Sequence, residues 1–410
     1  MPDTIVIAGA GHAAGQTAVS LRQGGFEGRI VIIGEEPYLP YQRPPLSKKF
    51  LAGELELERL FLRPQRYYEQ HDVEVRLNTR VAAIDRDGHK VQLQDGSELG
   101  YTKLVLATGT RVRRLGLAGE ELPGAHYLRT VDDVLAIRDD FRPGARLVVL
   151  GAGYIGLEVA AVAVQAGLDV SVWEIADRVL ARVASPELSA FYERVHREAG
   201  VELQLGQPPV SAIGGNDRVE TIVDGNGQER PADIVLIGIG VLPAAELAEA
   251  AGLPCDDGIL VDEYCQTEDP DILAIGDCTN HPNSLLGRRL RLESVHNAQE
   301  QAKTAAGTLL GQPRAYAQVP WFWSDQYDLK LQIAGLAEPG CERVVRGEPG
   351  ERSLAVFHLA DGRLQAVEAV NSAREFMQGK KLIAAKARLD PAVLADSSQS
   401  FKDIAAAALD

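Results

Sequence analysis

The chain repeats one construction twice, and this repeat constrains its fold more than any other feature. A short run of β-branched residues, a glycine turn, a helix of small residues and a second strand follow one another in residues 4–33. The same order recurs in residues 146–173, and a glutamate follows each copy, Glu35 in the first and Glu174 in the second. Strand, turn, helix and strand in this order predict a βαβ unit. The sequence therefore predicts two nucleotide-binding folds in one chain.

The two glycine turns, residues 9–14 (GAGHAA) and 151–156 (GAGYIG), have the spacing of a dinucleotide site. The first glycine permits a tight turn, the second lets the backbone approach a pyrophosphate, and the third small residue lets the helix pack on the strand. Phosphate then binds at the helix N-terminus, and the acid about 20 residues onward accepts a hydrogen bond from a ribose hydroxyl. Structural turns without nucleotide are the alternative, but both copies also have the strand, helix and acid that the motif requires.

Distant segments are expected to complete both folds. The runs 104–109 (LVLATG) and 272–277 (ILAIGD) are typical of buried strands that would close the first nucleotide site, and 234–240 (IVLIGIG) is typical of the strand that ends the second fold. After residue 320 the pattern changes to alternating runs, 353–359 and 364–370, and then to a helical stretch, 373–387.

The predicted fold class is α/β, with two Rossmann-like nucleotide-binding domains, the second inserted in the first, and a C-terminal α+β domain. The predicted bounds are 1–112 and 244–319 for the discontinuous first domain, 113–243 for the second and 320–410 for the third.

Composition excludes several classes of protein. The 42 basic and 58 acidic residues give a formal charge of −16, which argues against binding to nucleic acid or to a membrane surface. No apolar run approaches the roughly 20 residues of a bilayer span, so a soluble protein is expected. The four cysteines form no C-x-x-C pair, which fits a reducing compartment and predicts no metal site. Because residues 1–9 run directly into a strand pattern, a cytoplasmic location is expected.

Six motifs then give the chain a family resemblance. They are YQRPPLSK (41–48), LATG (106–109), GAGYIGLEVA (151–160), AIGD (274–277), ESVHNA (293–298) and WFWSDQY (321–327). Over nearly its whole length the chain resembles the FAD-dependent, NADH-linked ferredoxin reductases of oxygenase systems, the putidaredoxin reductase and biphenyl dioxygenase reductase type within the glutathione reductase superfamily. The resemblance implies FAD in the first fold, NADH in the second, and a C-terminal domain that covers the flavin. The implied partner is a 2Fe-2S ferredoxin that supplies a monooxygenase or dioxygenase.

The resemblance also implies which residues contact the cofactors. Lys48 and Glu158 would be the catalytic pair, because in similar enzymes a lysine of the PPLSK segment and a glutamate of the second glycine-turn helix meet beside the flavin. A cation there stabilises arriving negative charge, and the carboxylate can orient the nicotinamide amide. Val295 would contribute its backbone N–H at the start of a helix. The expected cofactor-binding residues are Gly9, Gly11, His12, Ala13, Ala14, Glu35, Arg43, Pro45, Lys48, Val81, Ala107, Thr108, Gly109, Arg129, Gly151, Gly153, Tyr154, Ile155, Gly156, Glu158, Glu174, Gly238, Ile239, Gly240, Gly276, Asp277, Glu293, Ser294, Val295 and Trp321.

The preferred nicotinamide cofactor is predicted from Glu174. A carboxylate at this position accepts a hydrogen bond from the ribose 2′-hydroxyl and repels a 2′-phosphate, which favours NADH over NADPH. Arg178 and Arg182 follow closely and could soften that repulsion.

The electron acceptor is expected to lie outside the chain. Disulfide reductases of this superfamily carry a cysteine pair on the segment that corresponds to residues 41–50, which here contains no cysteine. A flavin can split the two electrons of a hydride into single steps, so an external one-electron carrier fits. Two basic groups could dock an acidic ferredoxin. They are Arg288, Arg289 and Arg291, and Lys380, Lys381 and Lys386.

Two other functions stay open at this point. One is a redox-signalling flavoprotein that resembles apoptosis-inducing factor, in which NADH changes conformation and partner choice. The other is an NADH oxidase, which would pass electrons directly to oxygen. The sequence predicts neither the downstream oxygenase nor the oligomeric state.

Overall fold

The computed structural model describes residues 3–348 and 350–409. Contacts within the chain group it into two compact units. The first unit consists of Met1–Arg43, Leu57–Arg111 and Val241–Pro320, and the second of Pro44–Glu56, Val112–Gly240 and Trp321–Asp410. The division into three domains stays a prediction.

The helices and strands are numbered in chain order. The helices are α1 (His12–Gln23), α2 (Gln65–Gln70), α3 (Val131–Asp140), α4 (Tyr154–Gln165), α5 (Pro186–Glu198), α6 (Glu246–Ala250), α7 (Val295–Leu309), α8 (Ala373–Ala384), α9 (Pro391–Ala395) and α10 (Phe401–Ala407), with short 3-10 helices at Pro44–Ser47, Leu57–Arg59 and Gly276–Cys278. The strands are β1 (Thr4–Ala8), β2 (Arg29–Ile33), β3 (Val73–Arg76), β4 (Val81–Asp85), β5 (Lys90–Leu93), β6 (Glu98–Gly100), β7 (Lys103–Leu106), β8 (Thr110–Val112), β9 (Ala125–His126), β10 (Arg146–Leu150), β11 (Asp169–Trp173), β12 (Glu202–Gln204), β13 (Val210–Gly214), β14 (Thr221–Asp224), β15 (Glu229–Pro231), β16 (Ile234–Ile237), β17 (Val241–Pro243), β18 (Ile259–Leu260), β19 (Ile272–Ala274), β20 (Thr279–Asn283), β21 (Arg288–Leu290), β22 (Trp321–Gln326), β23 (Leu329–Gly335), β24 (Glu342–Arg346), β25 (Leu354–Ala360) and β26 (Arg363–Val370).

The first unit is built on a parallel sheet with the strand order β19-β7-β1-β2-β3. Val6 of β1 lies opposite Val31 of β2 and Leu104 of β7. Successive side chains of β1 enter two different cores, because Ile7 packs with residues of α1 and α7 whereas Val6 packs on the other face. A sheet buried on both faces needs apolar residues at consecutive positions, which explains the short β-branched runs.

The second unit contains a parallel sheet with the order β12-β11-β10-β16-β9 and an antiparallel sheet with the order β22-β23-β26-β25-β24. Helix α4 packs on β11 and on β22, and α8 packs on β26 and β23. The strands of this parallel sheet lie, in sequence, between β7 and β19 of the first unit's sheet. These features confirm the predicted fold class.

Several predicted elements are longer than the observed ones. The strands predicted over 104–109, 234–240 and 272–277 end at 106, 237 and 274. The glycines that follow have positive φ angles, which a strand does not allow. They are Gly109 (67°), Gly240 (101°) and Gly276 (81°). The helix predicted over 373–387 ends at Ala384, shortly before Lys386, which has a φ of 54°.

Among the helices within residues 3–348 and 350–409, none has the length and apolar character needed to cross a bilayer.

Candidate functional site

The first glycine turn joins β1 to α1, and its geometry requires glycine at position 9. Gly9 has a φ of 118°, and a Cβ atom there would overlap the carbonyl oxygen of Ala107. At Gly11 no atom of the described chain outside residues 10–12 lies within 4 Å of where a Cβ would stand. The turn is therefore closed beside Gly9 and open at Gly11, where a pyrophosphate would approach the backbone.

The N-terminus of α1 is suited to binding an anion. Thr130, Ser185 and Ser294 cap α3, α5 and α7 through their side chains, whereas Gly11 supplies no side-chain cap to α1. The first turn of α1 also lacks an acidic residue. The exposed N–H groups and the positive end of the helix dipole favour a phosphate. The first glycine turn therefore fits the pyrophosphate of FAD.

Other predicted segments of the first unit converge on this turn. The Ala107 carbonyl group, at the start of the Ala-Thr-Gly turn after β7, lies beside Gly9. A Cβ atom on Gly276 would lie 3.3 Å from the Cβ of Ala13, so the Gly-Asp turn after β19 contacts α1. The backbone N–H of Gly276 donates to the side-chain oxygen of Gln301 on α7 over 2.6 Å. The structure thus brings together the turn, residues 107–109, residues 276–277 and α7.

Two acidic residues follow β2, and they have different environments. Glu36 accepts hydrogen bonds from the Tyr41 hydroxyl (2.6 Å) and from Arg43 (2.8 Å). Glu35, the predicted ribose ligand, has a side chain that is 69% exposed and pairs with Arg80 at 3.2 Å. Glu35 is therefore the more accessible of the two carboxylates.

Arg43 couples electrostatically to another predicted FAD residue. Burial lowers the pKa of Arg43, but the neighbouring groups of Tyr41, Glu36 and Asp277 raise it above its ordinary value. The Asp277 carboxylate must therefore be near the Arg43 guanidinium group. Arg43 thus links the segment after β2 to the Gly-Asp turn.

The second glycine turn, between β10 and α4, repeats the geometry of the first. Gly151 has a φ of 104°, and a Cβ atom there would lie 2.6 Å from the carbonyl oxygen of Gly238. A Cβ atom on Gly156 would overlap the Gly151 carbonyl oxygen, while the corresponding space at Gly153 is open within the described chain. Helix α4 has no side-chain cap. The second turn therefore also fits a dinucleotide pyrophosphate.

Tyr154 and Ile155 begin α4 directly after this turn. The Tyr154 ring contacts the edge of Phe322 at a centroid distance of 4.8 Å. Its hydroxyl is buried and has no hydrogen-bond partner within the described residues, and burial raises the pKa of Tyr154 well above its ordinary value. Ile155 is 40% exposed although it is a large apolar residue. An unpaired hydroxyl and an exposed apolar side chain are both suited to contact with a ligand.

Glu174 lies against the second glycine turn. One carboxylate oxygen accepts a hydrogen bond from the backbone N–H of Ala152 (2.7 Å), and the other accepts one from Ala176 (3.0 Å). Negative charge is therefore held beside the turn, where it would disfavour a 2′-phosphate.

Arg178 is engaged with its own segment of the chain. Its guanidinium group donates to the carbonyl oxygens of Ala181 and Ala184, each over 2.8 Å, and to the Ser189 hydroxyl over 2.6 Å. These bonds leave it less able to receive a 2′-phosphate.

Lys48 and Glu158, the predicted catalytic residues, form an ion pair in the second unit. The Lys48 Nζ lies 2.6 Å from Glu158 Oε2, and the side chains are 16% and 5% exposed. The 3-10 helix Pro44–Ser47 packs on α4 and so presents the lysine to the glutamate. The same ammonium group donates to the carbonyl oxygen of Pro44 over 3.1 Å.

Sequence reasoning missed two further ligands of Glu158. The Ser324 hydroxyl donates to Glu158 Oε1 over 2.6 Å, and the Ser47 hydroxyl donates to Oε2. A signal existed for both: Ser47 directly precedes Lys48 in its motif, and Ser324 alternates with Gln326 along β22.

The other predicted cofactor residues lie in several places. Val81 begins β4, on the separate sheet β4-β5-β6, and Pro45 lies in the 3-10 helix before Lys48. Arg129 precedes α3 and donates its backbone N–H to Asp133 over 2.8 Å. Trp321 begins β22, and its ring lies 5.4 Å from that of Phe376, between centroids.

The two basic groups proposed for docking differ in how far they are neutralised. Arg291 pairs with Asp257 at 3.0 Å and with Glu293, and its side chain is 14% exposed. Arg289 donates to the carbonyl oxygens of Val261 (2.7 Å) and Asn280 (2.6 Å). In the C-terminal group, Lys381 and Lys386 are exposed, and Lys380 Nζ lies 5.4 Å from the centroid of the Trp321 ring.

Comparison with known proteins gives two matching family models. The pyridine nucleotide-disulphide oxidoreductase model matches residues 3–302, and the reductase C-terminal model matches residues 321–405. The two matches fall in both described units and leave residues 303–320 between them.

Similar proteins match over nearly their full lengths. The ferredoxin–NAD(+) reductase component of the anthranilate 1,2-dioxygenase system of Burkholderia cepacia is 46% identical over 404 residues, 98% of each chain. Putidaredoxin reductase of Pseudomonas putida is 43% identical over 411 residues, 99% of this chain and 97% of that protein. In the crystal structure of the covalent putidaredoxin reductase–putidaredoxin complex, a chain 42% identical to this one superposes with a TM-score of 0.96 and covers 99% of both. The resemblance predicted from the six motifs is confirmed, and the chain belongs to the pyridine nucleotide-disulphide oxidoreductase family.

Proposed function

We propose that this protein is an NADH:ferredoxin oxidoreductase that carries FAD. It takes hydride from NADH and passes single electrons to a 2Fe-2S ferredoxin, which supplies a monooxygenase or dioxygenase. The observation that carries this proposal is the pair of glycine turns without side-chain caps, each on its own parallel sheet. The relatives named above, a putidaredoxin reductase and the ferredoxin–NAD(+) reductase component of a dioxygenase system, support the same reaction.

The absence of a redox-active cysteine pair directs the electrons outward. Residues 41–50, where disulfide reductases of this superfamily carry their cysteine pair, contain no cysteine. Burial raises the pKa values of Cys265 and Cys278, and it raises that of Cys255 to about 11. Such thiols are poor nucleophiles near pH 7. An internal dithiol relay through these cysteines is therefore disfavoured, which supports transfer to an acceptor outside the chain.

We assign FAD to the first glycine turn and NADH to the second. When bound, FAD supplies the conversion of a two-electron donor into single-electron steps. In the first unit, the N-terminus of α1 would hold the pyrophosphate, and Glu35 would hold a ribose. In the second, α4 and Glu174 would play the corresponding roles. The contacts of Glu174 and Arg178 described above support NADH over NADPH.

Lys48 and Glu158 are the proposed catalytic pair. Lys48 supplies a positive charge in a largely buried setting, where it would favour the negative charge that arrives with hydride. Glu158 holds the lysine and has a carboxylate suited to orient the nicotinamide amide. Ser47 and Ser324 fix the position of that carboxylate by donating one hydrogen bond to each of its oxygens.

For the ferredoxin, the C-terminal lysines are the better of the two docking candidates. Arg291 is paired with Asp257 and mostly buried, and Arg289, although exposed, donates to backbone carbonyl oxygens of the protein itself. Lys381 and Lys386 are both exposed. Exposed cations steer an acidic partner and raise its rate of association. A cytoplasmic location is likewise proposed from the cysteine content.

Two measurements test the function. Anaerobic addition of NADH to the yellow holoprotein should bleach the flavin absorbance, and NADPH should do so much more slowly. NADH-dependent reduction of cytochrome c should require an added 2Fe-2S ferredoxin. Rapid formation of peroxide or water without a carrier would instead identify an NADH oxidase. Slow flavin reduction and no turnover with any ferredoxin would favour the signalling function.

A further inference from the structure

A buried series of polar side chains extends from Glu158 through the second unit. Its members lie on β22, on α5 and at the turn after β22, and are Ser324, Gln326, His196 and Tyr327. We call these four residues the donor chain. The reductase reaction proposed above requires Glu158, to which the donor chain leads, but gives Gln326, His196 and Tyr327 of the donor chain no role.

Every link of the donor chain donates toward Glu158. The Tyr327 hydroxyl lies 3.0 Å from His196 Nδ1, and His196 Nε2 lies 2.8 Å from the Gln326 side-chain oxygen. The Gln326 amide nitrogen donates to the Ser324 hydroxyl oxygen over 3.1 Å, and that hydroxyl donates to Glu158 Oε1 over 2.6 Å. Hydrogen bonds aligned in one direction polarise and strengthen one another.

The direction of the bonds follows from the chemistry of His196. Burial lowers the pKa of His196 to about 4, so the ring is neutral near pH 7. The Gln326 oxygen can only accept a hydrogen bond, so the single ring proton must be on Nε2. Nδ1 is then an acceptor, and the Tyr327 hydroxyl must donate to it.

The donor chain is costly as a purely structural feature. His196, Gln326 and Ser324 are at most 1% exposed, and polar groups this deeply buried lose their hydration. Apolar residues would fill the same space without that cost. Tyr327 also has a φ of 56°, a left-handed conformation that bulky residues rarely adopt. Such features are retained most often where they serve a function.

We propose that the donor chain positions the Glu158 carboxylate for hydride transfer. Its four residues are positioning residues, because only Glu158 would meet the nicotinamide. The inference rests on the function proposed above. Ser324 fixes one carboxylate oxygen, and Gln326, His196 and Tyr327 in turn fix the Ser324 hydroxyl. Lys48 and Ser47 hold the other oxygen, so the carboxylate plane has one orientation.

The proposal is tested with variants that each break one link. Ser324→Ala, Gln326→Leu and Tyr327→Phe interrupt the donor chain at three places. Tyr192→Phe is the matched control, because its hydroxyl is also buried on α5 but has no hydrogen-bond partner within the described residues. FAD content and the melting midpoint identify the variants that fold, and the two readouts are compared among those variants.

The first readout is independent of activity. In ¹⁵N-histidine-labelled protein, with the signal assigned through His196→Gln, His196 should be the neutral Nε2-protonated tautomer at pH 7. Gln326→Leu and Tyr327→Phe should shift its ring nitrogen signals, whereas Tyr192→Phe should not. A His196 signal that is unchanged in both link variants would show that the donor chain does not exist in solution.

The second readout is the rate of anaerobic flavin bleaching at saturating NADH. Ser324→Ala should lower it about 10-fold, as expected for loss of one hydrogen bond to a charged acceptor. The dissociation constant for NADH should change less than about threefold, because the rest of the nucleotide is held elsewhere. With NADH deuterated at the transferring position, the isotope effect on the bleaching rate should be larger in Ser324→Ala than in wild type. In a Glu158→Gln background, Ser324→Ala should cause little further loss, because the two act as a unit.

Two failures can be told apart. If NADH does not bleach wild-type flavin, the proposed function is wrong. The positioning role is wrong if wild type reacts and Ser324→Ala, Gln326→Leu and Tyr327→Phe all react as fast as wild type. It is also wrong if Ser324→Ala lowers the rate by the same factor in the presence and in the absence of Glu158→Gln.

Discussion

Removal of the Lys48 ammonium group should destabilise the protein more than removal of its ionic partner. The Glu158 side chain is 5% exposed, so loss of the lysine leaves a carboxylate almost without water. Breaking a buried pair in this way costs about 3–5 kcal/mol. Ser47 and Ser324 still donate to the carboxylate. We therefore expect Lys48→Met to lose roughly 3 kcal/mol of unfolding free energy, the lower end of that range.

Loss of the carboxylate should be milder. In Glu158→Gln, Lys48 keeps its hydrogen bond to Pro44 and its partial exposure, so the expected cost is about 1 kcal/mol. In the double variant no buried charge remains, and most of the loss caused by Lys48→Met should be recovered. The double variant should then lose only about 1 kcal/mol, which corresponds to a coupling between the two sites of about 3 kcal/mol.

Thermal unfolding in excess FAD measures these differences. For a folded unit of this size each kcal/mol lowers the melting midpoint by roughly 2–4 °C, so Lys48→Met should melt about 6–12 °C lower than wild type. Lys49→Met is the control, because it removes the same charge from an exposed neighbour. Equal melting of the Lys48 and Lys49 variants, or additive losses in the double variant, would refute a buried ion pair.

Three further predictions concern the second glycine turn, pH and the partner. Gly156→Ala should abolish NADH binding and keep FAD, because the new Cβ would overlap the Gly151 carbonyl oxygen; NADH titration and FAD content measure this, and concomitant loss of FAD would contradict it. Burial lowers the pKa values of His196 and His281 from 6.5 to about 4. The contribution of the two neutral rings to the unfolding free energy should therefore be fully present above pH 6.5 and should be lost as the pH drops toward 4. Each histidine should account for roughly 3 kcal/mol of this change in unfolding free energy. His196→Gln should therefore make the melting midpoint depend less on pH, and an unchanged dependence would be inconsistent with a buried neutral ring. Replacing Lys381 and Lys386 by glutamate should weaken ferredoxin reduction at low salt and leave ferricyanide reduction intact, and equal loss of both activities would argue against docking there.

The parts of the fold that sequence could predict are those determined by local pattern. The predicted βαβ units, 4–33 and 146–173, begin and end where the structure has the start of β1, the end of β2, the start of β10 and the end of β11. These bounds could be predicted because each strand is short, β-branched and followed by a glycine or an acid. The strands before Gly109, Gly240 and Gly276 were predicted too long. Apolar residues continue up to these glycines, but their positive φ angles end the strands, and a φ angle is not visible in hydropathy.

The surroundings of Glu158 could not be predicted in the same way. Its hydrogen-bond partners Ser47 and Ser324 lie 111 and 166 positions away in the chain, so no local spacing connects them. A family motif marks Lys48 and Glu158 as a pair, but it does not show what holds them.

One local anomaly nevertheless points to this site. Side chains alternate along a strand, so Ser324 and Gln326 lie on one face of β22 while Trp323 and Asp325 lie on the other. The serine and glutamine are the buried pair and the other two are partly exposed, which inverts the usual preference for tryptophan inside. A polar pair on the buried face of a strand requires a buried partner on the element packed against it. Helix α4 supplies such a partner to Ser324 in the carboxylate of Glu158, and α5 supplies one to Gln326 in the ring of His196. These two buried groups explain the inverted pattern of β22.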